Sequence, residues 1–116
     1  MKIAIFLLVS TLLLLAGCAP PGHPEITAII GATVQNPNHP PLTDSIVVIE
    51  GSRIRAVGKQ STVPIPKDAE TIKGYGGVVK PYAMGMIAPG QPANLTLAVG
   101  SRIRVMQKGE WLPESR

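Results

Sequence analysis

Glycine and proline recur along this chain, 12 of each in 116 residues, and beyond the first eighteen positions they leave no room for a helix of ordinary length. Proline lacks the amide that a helix interior needs and fixes φ, and glycine in a helix costs about 1 kcal/mol relative to alanine. The intervening apolar runs are short and β-branched, as in ITAII, SIVVIE and NLTLAV, and none shows apolar spacing of three and four. Such runs between Gly, Pro, Asn and Ser clusters predict strands and turns. Strands are expected over Ile26–Val34, Ser45–Ile49, Arg53–Val57, Ala69–Lys73, Val78–Val79, Leu95–Val99, Arg102–Gln107 and Glu110–Leu112. The stretch QNPNHPPLT, with three prolines, must be a loop. The expected fold class is therefore all-β: a small β-sandwich of short antiparallel strands and hairpins.

One phrase, GSRIR, occurs twice, at Gly51–Arg55 and Gly100–Arg104, each time behind an apolar run. Gly-Ser supplies a tight reversal in which glycine takes positive φ without steric penalty. Side chains alternate across a sheet, so in Arg-Ile-Arg the isoleucine points one way and the arginines the other. This alternation predicts Ile54 and Ile103 in a core, with Arg53, Arg55, Arg102 and Arg104 facing water. Five residues are too few to argue a duplication, and the repeat is turn chemistry first.

The chain opens MKIAIFLLVSTLLLLAGCAP. Lys2 is followed by an uncharged apolar stretch to Leu15 and an exit of small residues. That pattern is a secretory signal; a spanning helix needs about 20 apolar residues. Leu15-Ala16-Gly17-Cys18 resembles the lipobox of bacterial lipoproteins. The resemblance implies cleavage before Cys18, a diacylglyceryl thioether on its sulfur and acylation of the new N-terminus, and lipid chains in that number give stable membrane attachment. Cys18 is also the single cysteine, so no intrachain disulfide can form even in an oxidising compartment. The expected organisation is a signal over 1–17, a lipidated cysteine with a Pro-rich tether over 18–25, the sandwich over 26–113 and a tail over 114–116. The expected location is the bacterial cell envelope, anchored through Cys18 and facing the extracytoplasmic side. Ala19 after the cysteine resembles lipoproteins sorted to an outer membrane, where the source has one.

Charge and composition exclude several function classes. The net charge of +4 comes from 11 Lys and Arg scattered against 7 acids, and aromatics are only 3%. That leaves no stacking platform for single-stranded nucleic acid, and no nucleic-acid partner is expected. With one Trp, two Tyr and the single Phe inside the signal, the core must be aliphatic, with Trp111 as its expected large anchor. A catalytic zinc needs about three protein ligands and an open position. His23 lies in the tether and His39 in the Pro-rich loop, neither at ligand spacing, so no metal or other cofactor is expected. Gly74–Gly77 lacks the Gly-Lys-Ser/Thr ending of a phosphate loop and no helix follows it, which makes it a turn. Ser45, Ser52, Ser61 and Ser101 stand in no nucleophile elbow.

Residues 72–82, reading IKGYGGVVKPY, resemble the entry to the catalytic barrel in the amidohydrolase superfamily, metal-dependent hydrolases of the imidazolonepropionase and dihydroorotase kind. Those enzymes carry a composite β-sandwich made from both chain ends. SIVVIEGSRIRAVG and GGVVKP resemble its N-terminal part; Ile87-Ala-Pro-Gly-Gln-Pro-Ala-Asn-Leu95 and Val105-Met-Gln-Lys-Gly109 resemble its C-terminal part, with Asn94 where Asp is usual. The likeness covers roughly residues 26–112. It implies a barrel with a His-x-His metal pair between the two parts. Here Pro81-Tyr-Ala-Met-Gly85 runs on within two residues into the C-terminal motif, so no position matches the family's catalytic set and none is carried over.

Two surfaces remain as candidates. Arg53, Arg55, Arg102 and Arg104 would make a basic patch for anionic lipid or a carboxylate-bearing partner if the hairpins are close, although paired charges on a strand's outer face commonly serve only solubility and edge protection. Tyr82, Met84, Met86 and Ile87 would form an apolar interface for a second copy or another protein where the resembled enzymes pack against their barrel. The leading expectation is a membrane-anchored, non-catalytic binding or structural module. The runner-up is an accessory part of a hydrolase of non-peptide C–N bonds, working beside a separate barrel subunit. A third reading is a membrane-surface lipoprotein acting through its arginines. The chain's own enzymatic activity stays open.

Overall fold

The computed structural model describes residues 25–83 and 85–113. The signal, Cys18, His23, Met84 and the tail over 114–116 lie outside the described residues. The described chain forms nine strands and no helix: β1 Ile26–Ile30, β2 Thr33–Val34, β3 Ser45–Glu50, β4 Arg53–Lys59, β5 Glu70–Lys73, β6 Val78–Pro81, β7 Leu95–Val99, β8 Arg102–Gln107 and β9 Glu110–Trp111. They build two sheets, one ordered β4-β3-β1-β5 and the other β2-β6-β7-β8-β9. The fold is the expected all-β sandwich of short strands.

The expected first strand, Ile26–Val34, is in fact two. Gly31 takes φ +85°, and the bend carries the chain from the first sheet into the second. The β5–β6 connection makes the same transfer through Gly74–Gly77, so β5 runs parallel to β1 and β6 parallel to β2. These two pairings are parallel in an otherwise antiparallel fold. The crossing is tight: a Cβ on Gly77 would sit 2.6 Å from the Ala98 carbonyl oxygen, closer than any side chain tolerates. Gly74 donates its N–H to the Ile30 carbonyl at 2.7 Å, and Thr33 N–H reaches the Gly77 carbonyl at 2.9 Å. Ser45, fully buried, directs its hydroxyl to the Ala32 carbonyl at 2.7 Å. A buried hydroxyl with a partner is a structural device.

The main core lies between the sheets. Ile29, Val47, Ile49 and Ile54 from the first sheet meet Val79, Leu95, Leu97 and Met106 from the second. The first sheet is buried on its other face too, where Ala28, Ile30, Ile46 and Val48 pack with Ile26, Ala56, Val63 and Ala69. The last two come from the 60–69 loop, which folds over that face. Burial on both sides explains why Ile46 to Ile49 is an unbroken apolar run instead of an alternating one. The largest fully buried side chains are aliphatic apart from Met106 and the hydrogen-bonded Ser45, and none is aromatic. Trp111 packs against the core only half-buried, so it is a border residue and not the expected anchor.

Candidate functional site

Both Gly-Ser reversals form as the sequence predicts. Gly51 and Gly100 take φ +62° and +61°, and each two-residue turn joins directly paired neighbours, Glu50 with Arg53 and Val99 with Arg102. Positive φ at the first central residue matches the II′ hairpin, whose twist suits the flanking strands.

The faces the two copies present are nevertheless opposite. In the first hairpin Ile54 pairs with Ile49 and is 1% exposed, with Arg53 and Arg55 outside. In the second, Ile103 is 63% exposed, which corrects the expectation that it lies in a core. Its neighbours Arg102 and Arg104 pair with Val99 and Leu97, on the face whose next position, Met106, is fully buried in the core. The cause is parity. Core-facing residues of β3 are Val47 and Ile49, so Glu50 before the turn points out. Those of β7 are Leu95, Leu97 and Val99, so the residue before the turn points in. A one-residue offset inverts every side chain that follows. The alternation Leu95-Thr96-Leu97, counted to Gly100, carried this signal.

The second arginine pair therefore stands at the open end of the inter-sheet space. A cavity of about 240 Å³ there is lined by Ile72, Lys73, Leu97, Val99, Arg102 and Arg104. Ile72, Leu97 and Val99 give it an apolar lining, and Arg102 and Arg104 are its inward cations. Lys73 borders it but is paired with Ile30 of the first sheet's other face, so its side chain turns away from the inter-sheet space. The Arg104 guanidinium lies over the Trp111 ring, 4.2 Å from the centroid, a cation–π geometry contributing about 0.5–1 kcal/mol at an accessible site. No nucleophile, carboxylate or imidazole is among the lining residues, so this arrangement is suited to holding an anion with an apolar body.

The four arginines do not form one patch. Arg53 and Arg55 belong to β4, the edge of the first sheet. Arg53 donates to the Gly90 carbonyl at 2.8 Å, and Arg55 pairs with Glu50 at 3.1 Å on an exposed surface, worth at most about 1 kcal/mol. Their turn lies against Gly109, at the other end of β8 from Arg102.

The expected apolar interface is likewise divided. Ile87 is 2% exposed and belongs to the main core, so it is corrected from surface to interior. Tyr82 is half-buried and Met86 is exposed. What holds Ile87 inside is Asn36, whose side chain donates to the Ile87 carbonyl at 2.9 Å and accepts from its N–H at 2.8 Å. Asn94 accepts the Lys108 N–H at 2.8 Å. A carboxylate oxygen at this position would accept the same bond.

His39 is exposed, its Nδ1 within 2.8 Å of the Pro37 carbonyl oxygen. Among the described residues no three of His, Cys, Asp and Glu come together, so they do not fit the metal that the resemblance implies, and no chemical step is assigned to one. Gly74–Gly77 is the inter-sheet crossing and not a phosphate loop.

Among solved structures, molinate hydrolase matches with TM-score 0.45 and 28% identity, over 52% of this chain and 13% of its own. A protein from Bifidobacterium longum assigned as a prolidase matches with TM-score 0.47 and 23% identity, over 53% of this chain and 16% of its own. This chain spans less than a fifth of the length of either. At these TM-scores the likeness concerns half the chain, and nothing further rests on it. No family model matches the chain, and no curated protein does.

Proposed function

We propose that this chain is a lipid-anchored β-sandwich module of the amidohydrolase composite type, serving as a binding or structural component at the bacterial cell envelope and not as a catalyst on its own. The observation that carries this reading is the closure between β6 and β7. Pro81 and Leu95 are directly paired neighbours, the Tyr82 N–H donates to the Asn94 carbonyl at 3.0 Å, and the connector between them is pinned by Asn36 at Ile87. In the resembled enzymes the barrel and its metal ligands would be inserted at this junction; here two antiparallel neighbours of one sheet are joined by the connector over residues 82–94. The Leu-Ala-Gly-Cys sequence ending at Cys18 supports the anchor.

Two measurements test the two halves of the proposal. Metabolic labelling of the full chain with an alkyne palmitate in a bacterial host should give labelled, membrane-bound protein. Cys18→Ser should abolish the label; absence of label on the parent, or persistence in the variant, refutes the anchor. Purified full chain should take up no stoichiometric zinc and should hydrolyse neither simple amides nor cyclic imides. Turnover, or tight one-to-one zinc binding, refutes the non-catalytic reading.

A further inference from the structure

We propose that the cavity at the open end of the sandwich, between Ile72 on β5 and Arg102 and Arg104 on β8, binds an amphipathic carboxylate whose chain lies between the sheets. The inference depends on neither the lipid anchor nor the family likeness.

The first argument is the identity of the inward residues. Positions facing the partner sheet are ordinarily apolar in a sandwich of this size, and the inner face of β7 and β8 follows that rule at Leu95 with Met106. One step outward the partner of Leu97 is Arg104, and one further the partner of Val99 is Arg102. Arginine on a core-facing position covers apolar neighbours with its stem while its head reaches for water or an anion. The opposite wall contributes Ile72. The apolar floor is therefore built by both sheets and the cationic mouth by β8.

The second argument is preorganisation. Arg104 lies on the Trp111 ring, which limits its rotamers and reduces the entropy lost when it meets a ligand. A guanidinium presents a planar fork that matches a carboxylate, and such charge-assisted pairs are the stronger hydrogen bonds. The third argument is size. A dry cavity of ~150 Å³ accepts benzene, with its six carbons. On that scale about 240 Å³ accommodates roughly ten non-hydrogen atoms, the size of octanoate, with the head at the two arginines and the chain over Ile72, Leu97 and Val99.

The test uses the full chain in zwitterionic phosphatidylcholine nanodiscs, with fluorescence of the single tryptophan, Trp111, as the readout. Octanoate should give a saturable change with Kd on the order of 1 mM. Octanol, which lacks the charge, and acetate, which lacks the chain, should each bind at least tenfold more weakly. Arg102→Gln and Arg104→Gln should weaken octanoate binding several-fold. Val99→Phe, which fills the floor and keeps every cation, should abolish the response while circular dichroism shows the same β-rich spectrum as the parent. An equal response to octanol and octanoate, unchanged affinity in both charge variants, or no saturable change in folded parent protein each overturns the proposal.

Discussion

Two glycines with nearly the same backbone demand but different surroundings allow the closure of the sandwich to be tested. Gly100 takes φ +61° and a Cβ built there meets nothing within 4 Å. Gly109 takes φ +81°, and a Cβ there would collide with the Gly51 carbonyl and approach the Ser52 Cα at 3.1 Å. The clash partners are backbone of the first hairpin, so no rotamer change relieves it. Alanine at either site incurs the left-handed penalty of about 1–2 kcal/mol. Gly109→Ala adds an overpacking cost of about 1–3 kcal/mol, giving about 2–5 kcal/mol in total. A domain of this size has only about 5–10 kcal/mol to lose. In urea denaturation followed by Trp111 fluorescence, with a slope of about 1 kcal/mol/M, Gly100→Ala should lower the midpoint by about 1–2 M and Gly109→Ala by clearly more. Asparagine separates the two causes, because it tolerates positive φ yet carries a Cβ. Gly100→Asn should be nearly as stable as the parent, whereas Gly109→Asn should stay strongly destabilised. If the two asparagine variants unfold together, the interlock between the β3–β4 and β8–β9 turns, and with it the closure of one half of the chain on the other, is refuted.

Two further expectations follow from burial and hydrogen bonding. Ile54→Ala should cost about 2–5 kcal/mol, the usual range for emptying a fully buried site, while Ile103→Ala at 63% exposure should stay within about 0.5 kcal/mol of the parent; equal losses by denaturant titration would refute the inverted faces. Asn36→Ala leaves the Ile87 N–H and carbonyl without their side-chain partner and should cost about 1–3 kcal/mol, with faster amide hydrogen exchange at Ile87 but not at Ile49. Uniform loss of protection across the domain would show that the connector is not pinned locally.

The strands and turns were legible because each rests on local chemistry: β-branched runs, and Gly-Ser where φ must be positive. The two-sheet arrangement was partly legible, since the four central residues of SIVVIE are all apolar and so call for cover on both faces. The break at Gly31 was not. A lone glycine inside an apolar run reads as a weak strand interior, and only the parallel partner β5, 40 residues on, shows that the chain changes sheets there. Ile87 was misread for a related reason: its burial depends on Asn36, 51 positions away in sequence, and no spacing rule connects a loop asparagine to a distant backbone.

The candidate site shows what a repeated phrase transfers and what it does not. GSRIR dictates the same turn in both places because turn geometry is settled within four residues. It cannot dictate which side is buried, because that depends on where the preceding strand's apolar residues fall relative to the glycine. Leu95, Leu97 and Val99 end on the residue before Gly100, whereas the core-facing residues of β3 end one earlier, at Ile49. That single offset exposes Ile103 and draws Arg102 and Arg104 over an apolar floor. The phrase therefore makes a solvated edge in one sheet and a cationic cavity mouth in the other. Ile72 completes the floor of the second arrangement only because β5 forms the facing wall, a relation set by the parallel crossing at Gly74–Gly77 and absent from any local pattern.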